Sequence, residues 1–228
     1  MKTPKQTDRE PKGDEDNITQ LPKKAKAPVL VKVTLRSVQP MLQHRMTDEA
    51  LDGLPGGSGK LEQPNVKEMT YQQRADLVRY HGPDGEFGIP SECLFGAIVA
   101  AGAFVTFAKR KNMSNKEESL VPSFLKILDE FLPFKNQDPK FWTVDKRRGV
   151  NPSTGGAMCI IRPRFPNWEI DFMVEIDPAT GVKLEQVRDL FNKAGYFSGI
   201  GSHRKKGSFG RFRVAAWEVT EAEVRKAA

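Results

Sequence analysis

Apolar and polar residues alternate with a period of two in two segments of the chain, 29–38 and 168–177. In the first segment the alternating apolar residues are Val29, Val31, Val33 and Leu35; in the second they are Trp168, Ile170, Phe172, Val174 and Ile176. Alternation of this kind predicts β-strands with one buried face. Three further strands are predicted at 141–150, 157–165 and 211–219.

Apolar residues recur at helical spacing in two longer segments, which therefore predict helices. The first begins near Ser91, its expected N-cap, and ends at Lys109-Arg110-Lys111. These cations suit the negative end of a helix dipole, and contact with nucleic acid explains them equally well. The second helix covers 184–194, with Gly195 as its expected C-cap. Shorter helices are predicted within 66–80 and 119–132.

Without insertions at 41–89 and 109–135, the predicted elements follow the order β-α-β-β-α-β. This order predicts an α+β fold of the ferredoxin-like (RRM-like) kind, with an antiparallel sheet and two helices on one face. We expect one such domain over 29–219, with a flexible Gly/Pro-rich insertion at 47–65. Residues 1–28 are expected to form a disordered N-terminal tail, and 220–228 a C-terminal extension.

Net charge, apolar runs and cysteine content indicate which kind of partner and which compartment to expect for this chain. The chain has 228 residues, a net charge of +7 and a pI of about 9.4, which favours a polyanionic partner. No apolar run approaches the roughly 18 residues of a membrane helix, and the N-terminus lacks the apolar core of a signal peptide. Cys93 and Cys159 lie in apolar runs and are expected as reduced thiols. We therefore expect a cytoplasmic protein without a membrane partner, a cofactor or a metal site.

The segment 199–214, GIGSHRKKGSFGRFRV, holds four glycines, five Lys/Arg and no acid. It is compatible with an ordinary loop carrying solvated charges, a flexible flap, or a loop that cradles phosphate. Its position between the second long helix and the last strand makes the flap least favoured. In the phosphate interpretation, glycines shape the backbone into an anion-binding nest. Arg204, Lys205 and Lys206 then neutralise phosphate, and Phe209 offers a face for base stacking.

A glycine-rich loop of the form G-h-G-x5-G-h-G between these elements resembles the RAMP superfamily, the crRNA-binding and crRNA-processing proteins of CRISPR effector complexes. Here it is Gly199-Ile200-Gly201, five residues, Gly207 and then Gly210, one residue longer than the family pattern. The stretches RPRF…W and GIG…FGRF also resemble phage and prophage proteins. The resemblance covers about 29–218 and implies an RNA-binding protein. Its expected partners are single-stranded nucleic acid and either further copies of itself, as a repeating backbone-type subunit that self-associates, or the other members of a ribonucleoprotein complex.

Cations outside the loop add further candidates. Arg162 and Arg164 share one face of the strand 157–165, close in sequence to Phe165 and Trp168. Interleaved cations and aromatic rings suit a single-stranded nucleic acid. The alternative is that both rings belong to the core, which is favoured for Trp168 because it continues the apolar face of its strand.

The resemblance also brings in the segment after the first strand, which meets RNA in RAMP-like proteins. His44 and Arg45 enter on this ground, with an exposed loop as the alternative. Nucleolytic RAMP proteins generally use a histidine as general base, a role open here to His44 or His203. The spacing of these residues does not itself indicate catalysis.

The sequence therefore favours non-catalytic binding of single-stranded nucleic acid, RNA before DNA. The alternatives are a metal-independent endoribonuclease and a phage structural or host-interaction protein that reuses the fold. The predicted contacts are Gly199, Gly201, His203, Arg204, Lys205, Lys206, Gly207, Phe209, Gly210, Arg211, Arg162, Arg164, His44 and Arg45.

Overall fold

The computed structural model describes residues 27–109, 111–151, 153–207 and 209–220, without the side chains of Lys205 and Lys206. Nearly all of the predicted tail, the C-terminal extension and Arg110 of the basic burst lie outside the described residues. The fold is α+β, with antiparallel sheets, as predicted.

The strands are β1 Val29–Ser37, β2 Met41–Leu42, β3 Gly88–Pro90, β4 Thr106–Ala108, β5 Lys111–Asn112, β6 Leu125–Ile127, β7 Phe131–Pro133, β8 Thr143–Val150, β9 Ala157–Phe165, β10 Glu169–Ile176 and β11 Phe212–Thr220. The helices are α1 Asp48–Asp52, α2 Tyr71–Leu77, α3 Ser91–Ala101, α4 Val121–Phe124, α5 Leu184–Lys193 and α6 Arg204–Gly207. Short 3-10 turns cover Gly102–Phe104 and Pro178–Thr180, and a π-helical turn covers Ala194–Ser198.

The largest sheet has four strands in the order β11-β1-β10-β6, all antiparallel. Its register places Val33 opposite both Phe172 and Trp217. The alternating residues of β1 and β10 are buried on one face, as their pattern predicted. Helices α3 and α5 cover that face, where Phe191 of α5 contacts Phe172 and Trp217 with ring centroids 6.1 and 5.7 Å apart.

The opposite face of this sheet, which we call the outer face, carries paired charges. Arg36 Nε lies 2.6 Å from Glu169 Oε2. Lys135 Nζ bridges Glu169 and Asp171, and Lys126 Nζ lies 2.9 Å from Glu175 Oε1. The acids of β10 are therefore paired across the outer face, whereas Lys32 and Arg213 on the same face form no ion pair among the described residues.

A second sheet of three strands, in the order β2-β9-β8, stands apart from the first. The expected run of consecutive strands between the two long helices is thus divided, because β8 and β9 pair with each other and with β2, whereas β10 pairs with β1. Aromatic side chains pack between the sheets, with Phe134 centred 4.8 Å from Phe165 and 6.3 Å from Trp168. Both Phe165 and Trp168 are fully buried, so the core interpretation holds for both rings.

The helix predicted over 119–132 is mostly wrong. Only Val121–Phe124 is helical, and the chain then forms β6 and β7. These short strands pair with β10 and β3, so distant partners outweigh the local helical spacing. The buried side chains of Leu125 and Leu132 anchor them in the core.

Both ends of α3 differ from prediction. Ser91 is the first helical residue rather than the N-cap, a position taken by Pro90. The helix ends at Ala101, and the 3-10 turn at Gly102–Phe104 leads into the β4–β5 hairpin, with Gly102 packed closely on Ser114. Lys109 and Lys111 therefore lie in that hairpin, and the helix-dipole explanation of the basic burst is wrong.

The end of α5 also differs. Gly195 is not the C-cap but lies inside the π-helical turn, where a Cβ would collide with the carbonyl oxygen of Phe212. The left-handed residue that ends the turn is Gly199, with φ 64°. A close approach between the π-helical turn and β11 thus explains Gly195.

The predicted insertion contains α1 and a turn built around Asp52. The Asp52 carboxylate accepts hydrogen bonds from the backbone N–H groups of Ser58 and Leu61, both at 2.8 Å, and from Ser58 Oγ at 2.7 Å. These bonds lower the pKa of Asp52 to about 2. The shorter predicted helix within 66–80 is present as α2, with Thr70 in a capping box.

Candidate nucleic-acid interface

The glycine-rich loop runs from Gly199 to Gly210, between the π-helical turn and β11. Gly199, Gly201 and Gly210 have φ angles of 64°, 80° and 68°, which L-residues rarely adopt. A Cβ on Gly210 would collide with the backbone of Ile200, whose N–H donates to the Gly210 carbonyl at 3.0 Å. These glycines therefore close the loop on itself.

The loop is attached to the segment after β1. Ser202 N–H donates to the Leu42 carbonyl at 2.6 Å, forming an isolated antiparallel bridge at the free edge of β2. Gly210 N–H donates to the Pro40 carbonyl at 2.8 Å. The loop thus lies beside the three-stranded sheet, which is not evident from its position in the sequence.

Inside the loop, His203 has a φ of 61°, the one positive φ among the described non-glycine residues. Its carbonyl accepts from Gly207 N–H at 2.9 Å, at the turn of α6. The carbonyl-bonded N–H groups of Ile200, Ser202, Gly207 and Gly210 cannot also form the predicted anion-binding nest. Any anion contact here therefore relies on side chains and on the remaining amides.

One face of the three-stranded sheet carries arginines, and we call it the arginine face: Arg147 of β8 with Arg162 and Arg164 of β9. The register places Asp145 opposite Arg162, on this same face. The alternate residues of β9, including Ile161 and Phe165, are buried on the other side. Strands β8 and β9 together contain five Lys/Arg and one acid, Asp145.

The charges on the arginine face are less paired than those of the outer face. Asp145 pairs with Arg147, at 2.7 Å from Oδ1 to Nε. In the part of the chain that the structure describes, Arg162, Arg164 and Arg204 form no ion pair with a carboxylate. Their guanidinium groups remain available to an anionic ligand.

His44 joins the arginine face from the segment after β2. Arg162 Nε donates to His44 Nδ1 at 3.2 Å, so His44 accepts this bond in its neutral form. Burial, followed by the positive charge of Arg162, lowers the pKa of His44 below its ordinary value. His44 is therefore neutral at pH 7.

A cleft of about 510 Å³ opens where the loop meets the start of α3. It is lined by His44, Tyr80, Glu92, Cys93, Gly201, Ser202, His203 and Arg204. Burial raises the pKa of Tyr80 to about 12, and its hydroxyl lies 3.9 Å from the Cys93 thiol. Burial also raises the pKa of Cys93, so both groups stay protonated at neutral pH.

The structure thus brings together many of the predicted contacts, namely His44, Arg162, Arg164 and the loop. Arg45 points elsewhere: its Nη1 lies 3.1 Å from Asp48 of α1, and it does not line the cleft. Arg211 lies at the loop end, where its carbonyl accepts from the N–H groups of Val38 and Gln39. The side chains of Lys205 and Lys206 lie outside the described set.

Sequence reasoning missed Arg147 as part of this surface. Its guanidinium carbon lies 4.7 Å from the centroid of the Phe209 ring, so one face of that ring is already covered. The available signal was the two-residue spacing from Asp145 along a strand, which puts both side chains on one face. The loop that brings Phe209 there could not be inferred from one strand.

Among the described residues, no three His, Cys, Asp or Glu side chains are grouped so that they could hold a metal ion. Within the same residues, no helix has the length and apolar character needed to cross a membrane.

No family model matches the chain, and no curated protein matches it. Among solved structures, it is similar to a chain of the type III-B Cmr-β cryo-EM structure bound to cognate target RNA, with a TM-score of 0.47 and 10% identity. That match covers 84% of this chain and 60% of the other, so this chain spans about three fifths of that protein's length. Cmr6 from Pyrococcus furiosus is similar with a TM-score of 0.43 and 11% identity, over 83% of this chain and 99% of the other.

Proposed function

We propose that this chain binds single-stranded nucleic acid, RNA before DNA, through the arginine face and the adjoining loop, without catalysis. The observation that carries the proposal is the grouping of Arg162 and Arg164, free of carboxylate partners in the described residues, beside a loop rich in cations. Guanidinium groups bind phosphate through paired N–H donors, and fixed strand positions hold them at a set spacing.

We propose that the loop contributes to binding by placing cationic side chains beside the arginine face, and not through its backbone N–H groups. Several of its N–H groups are bonded to carbonyl oxygens, as described above, so Arg204 and the neighbouring lysines are the groups we assign to phosphate. His203 and His44 line the same cleft, and we assign them to hydrogen bonds with a sugar or a base edge. His44 can only donate, through Nε2, because its Nδ1 accepts from Arg162. The preference for RNA rests on the resemblance of the loop to the RAMP superfamily.

We assign the four-stranded sheet to the ferredoxin-like plan, with β6 as its second strand. The order β11-β1-β10-β6 is then last, first, third, second, and α3 and α5 are the two helices of the plan. The three-stranded sheet belongs to the insertions of this plan. On this assignment the loop joins the second helix to the last strand, the position it has in RAMP proteins.

A metal-independent endoribonuclease is the second candidate, favoured by one observation. His44, His203 and Tyr80 line the same cleft, where a neutral histidine can act as a general base. Because His44 Nδ1 accepts from Arg162, His44 can take a proton there only after that bond is broken. This candidate predicts cleavage of RNA in EDTA that is lost on His44→Ala or His203→Ala. Binding of RNA that stays intact in EDTA excludes it.

The test is equilibrium binding of labelled single-stranded RNA, single-stranded DNA and duplex DNA to the wild type and to the triple variant Arg204→Gln/Lys205→Gln/Lys206→Gln. We expect tighter binding of the single strands. The triple variant should bind more weakly, with a salt slope smaller by roughly one for each lost phosphate contact. Absence of binding at low salt, or weak salt-insensitive binding that the variant leaves unchanged, contradicts the proposal and favours a structural or host-interaction role.

A further inference from the structure

Arg147 is held more firmly than its neighbours on the arginine face. Its Nε and Nη2 donate to the two carboxylate oxygens of Asp145 at 2.7 and 3.0 Å. The Asp145 side chain is only 11% exposed, whereas that of Arg147 is 38% exposed. This forked pair fixes the plane of the guanidinium group and keeps its pKa above the usual value.

Phe209 supports Arg147 from the loop side, with its centroid 4.7 Å from the guanidinium carbon. Gly207 makes this arrangement possible, because a Cβ there would lie 2.7 Å from the His203 ring and 2.8 Å from the Phe209 ring. Asp145, Phe209 and Gly207 therefore act together to present one side of a flat cation.

This geometry does not suit phosphate as the main ligand of Arg147. The Nε/Nη2 edge, which would bind phosphate in a fork, is already occupied by Asp145. Among the described residues the Nη1 side stays free, but the Asp145 carboxylate offsets the charge that would attract a phosphate. The side chain is 38% exposed, and a guanidinium plane stacks on the faces of aromatic rings and unpaired bases.

We propose that an unpaired nucleobase stacks on the guanidinium plane of Arg147, which Phe209 supports, and that Arg162 beside it contacts a phosphate. This inference rests on the proposed function and deepens it, because it assigns base contact and phosphate contact to different arginines of one surface. Arg162 lies directly opposite Asp145 in the β8–β9 register, which makes it a diagonal neighbour of Arg147 on the same face. A base would stack on Arg147 while an adjacent phosphate meets Arg162.

The test is Arg147→Lys, which keeps the charge but removes the plane and the fork. Binding is measured by anisotropy on a labelled single-stranded RNA and on the same strand with its bases replaced by abasic sites. We expect Arg147→Lys to weaken binding of the base-containing strand about tenfold. Binding of the abasic strand and the salt slope should be unchanged, because the lost contact is not ionic.

Two further variants keep the test decisive. Arg148→Lys makes the same change at the next residue of β8, on the other face of the strand, and should bind both strands like the wild type. Phe209→Leu, which removes only the supporting ring, should lose preference for the base-containing strand even if Arg147→Lys unfolds.

The inference is overturned if Arg147→Lys and Phe209→Leu keep the wild-type preference for bases over abasic sites. It is also overturned if the wild type binds both strands equally, a result that leaves phosphate binding, and so the proposed function, standing. Failure of the wild type to bind either strand overturns the proposed function instead.

Discussion

The two sheets of this protein both expose a charged face, and the two faces differ in how their charges are balanced. On the outer face of the four-stranded sheet, cations such as Arg36 and Lys135 meet carboxylates on neighbouring strands at 2.6 to 3.0 Å. The arginine face has three arginines from β8 and β9, and Asp145 is the one acidic residue in these two strands. Because a larger share of its cations lacks a carboxylate partner among the described residues, we expect the arginine face to attract a polyanion more strongly than the outer face.

This difference is the reason that we propose an interface away from the four-stranded sheet, the sheet that an RRM-like fold would use. In RRM-like domains an open sheet face stacks bases, but the outward residues of β1 and β10 contain no aromatic ring. Aromatic and cationic groups come together instead where the loop meets the three-stranded sheet. The candidate site therefore lies on β8 and β9, which the element order had counted among the strands of the main sheet, and on the loop beside them.

The largest effect is expected from Gly210→Ala, which tests whether the loop is fixed beside the arginine face. A Cβ at Gly210 collides with the Ile200 backbone at a φ of 68°. We expect a loss of about 3 kcal/mol in unfolding free energy, from strain and the broken loop closure. Urea denaturation measures it.

The matched control is Gly59→Ala, at a φ of 64° with nothing within 4 Å of the added Cβ. Left-handed strain alone should cost about 1 kcal/mol there. Equal losses for the two variants would mean that the loop is not held against its surroundings.

A second prediction sets the two faces directly against each other. Arg162→Gln/Arg164→Gln should weaken binding of single-stranded RNA by about 30-fold, or roughly 2 kcal/mol, because two phosphate contacts are lost. Arg36→Gln/Lys126→Gln removes the same charge from the outer face, where these side chains are 53% and 71% exposed. This second variant should change affinity less than about threefold. Comparable losses would remove the distinction between the faces.

The stability of the fold should depend on pH through His44, which lies at the arginine face. Its pKa is lower in the folded chain than the ordinary 6.5, so the unfolded chain binds a proton more readily. Folding is therefore penalised as pH falls through and below 6.5, and the penalty is absent above that value. His44→Asn, which keeps an acceptor for Arg162, should lose less stability than the wild type between pH 7 and pH 5. Parallel curves of melting temperature against pH would contradict this.

The smallest effect is expected on the outer face. Lys135→Met removes the bridge to Glu169 and Asp171, yet the Lys135 side chain is 44% exposed. Exposed ion pairs contribute little, so the expected loss in unfolding free energy is below about 1 kcal/mol and should shrink at high salt. A larger loss, insensitive to salt, would mean that the outer face is a structural network of a different kind.

Strands and helices could be predicted from the sequence where one face of the element is buried along its whole length. The alternation of β1 and β10 and the helical spacing of α5 report such faces directly. The segment 119–132 was not predictable in this way, since its short strands are decided by pairing with β10 and β3, far away in sequence. For the same reason, the division of the strands between two sheets could not be inferred.

The candidate site was predictable in part. Arg162 and Arg164 could be placed on one face from their spacing, and the loop from its glycines and charge. Arg147 was missed because its role depends on the β8–β9 register and on Phe209 arriving from the loop. Arg45 entered through the resemblance to RAMP-like proteins and stays a prediction; in the structure its side chain pairs with Asp48 of α1 instead of lining the cleft.

The salt dependence of single-stranded RNA binding tests the central claim most directly, measured for the wild type, Arg162→Gln/Arg164→Gln and Arg36→Gln/Lys126→Gln. A plot of log affinity against log salt counts the phosphates that the protein neutralises. We predict that the arginine-face variant lowers the slope by roughly two and that the outer-face variant leaves it unchanged. Equal slopes for all three proteins, or a lowered slope for the outer-face variant alone, would contradict the assignment of phosphate binding to the arginine face.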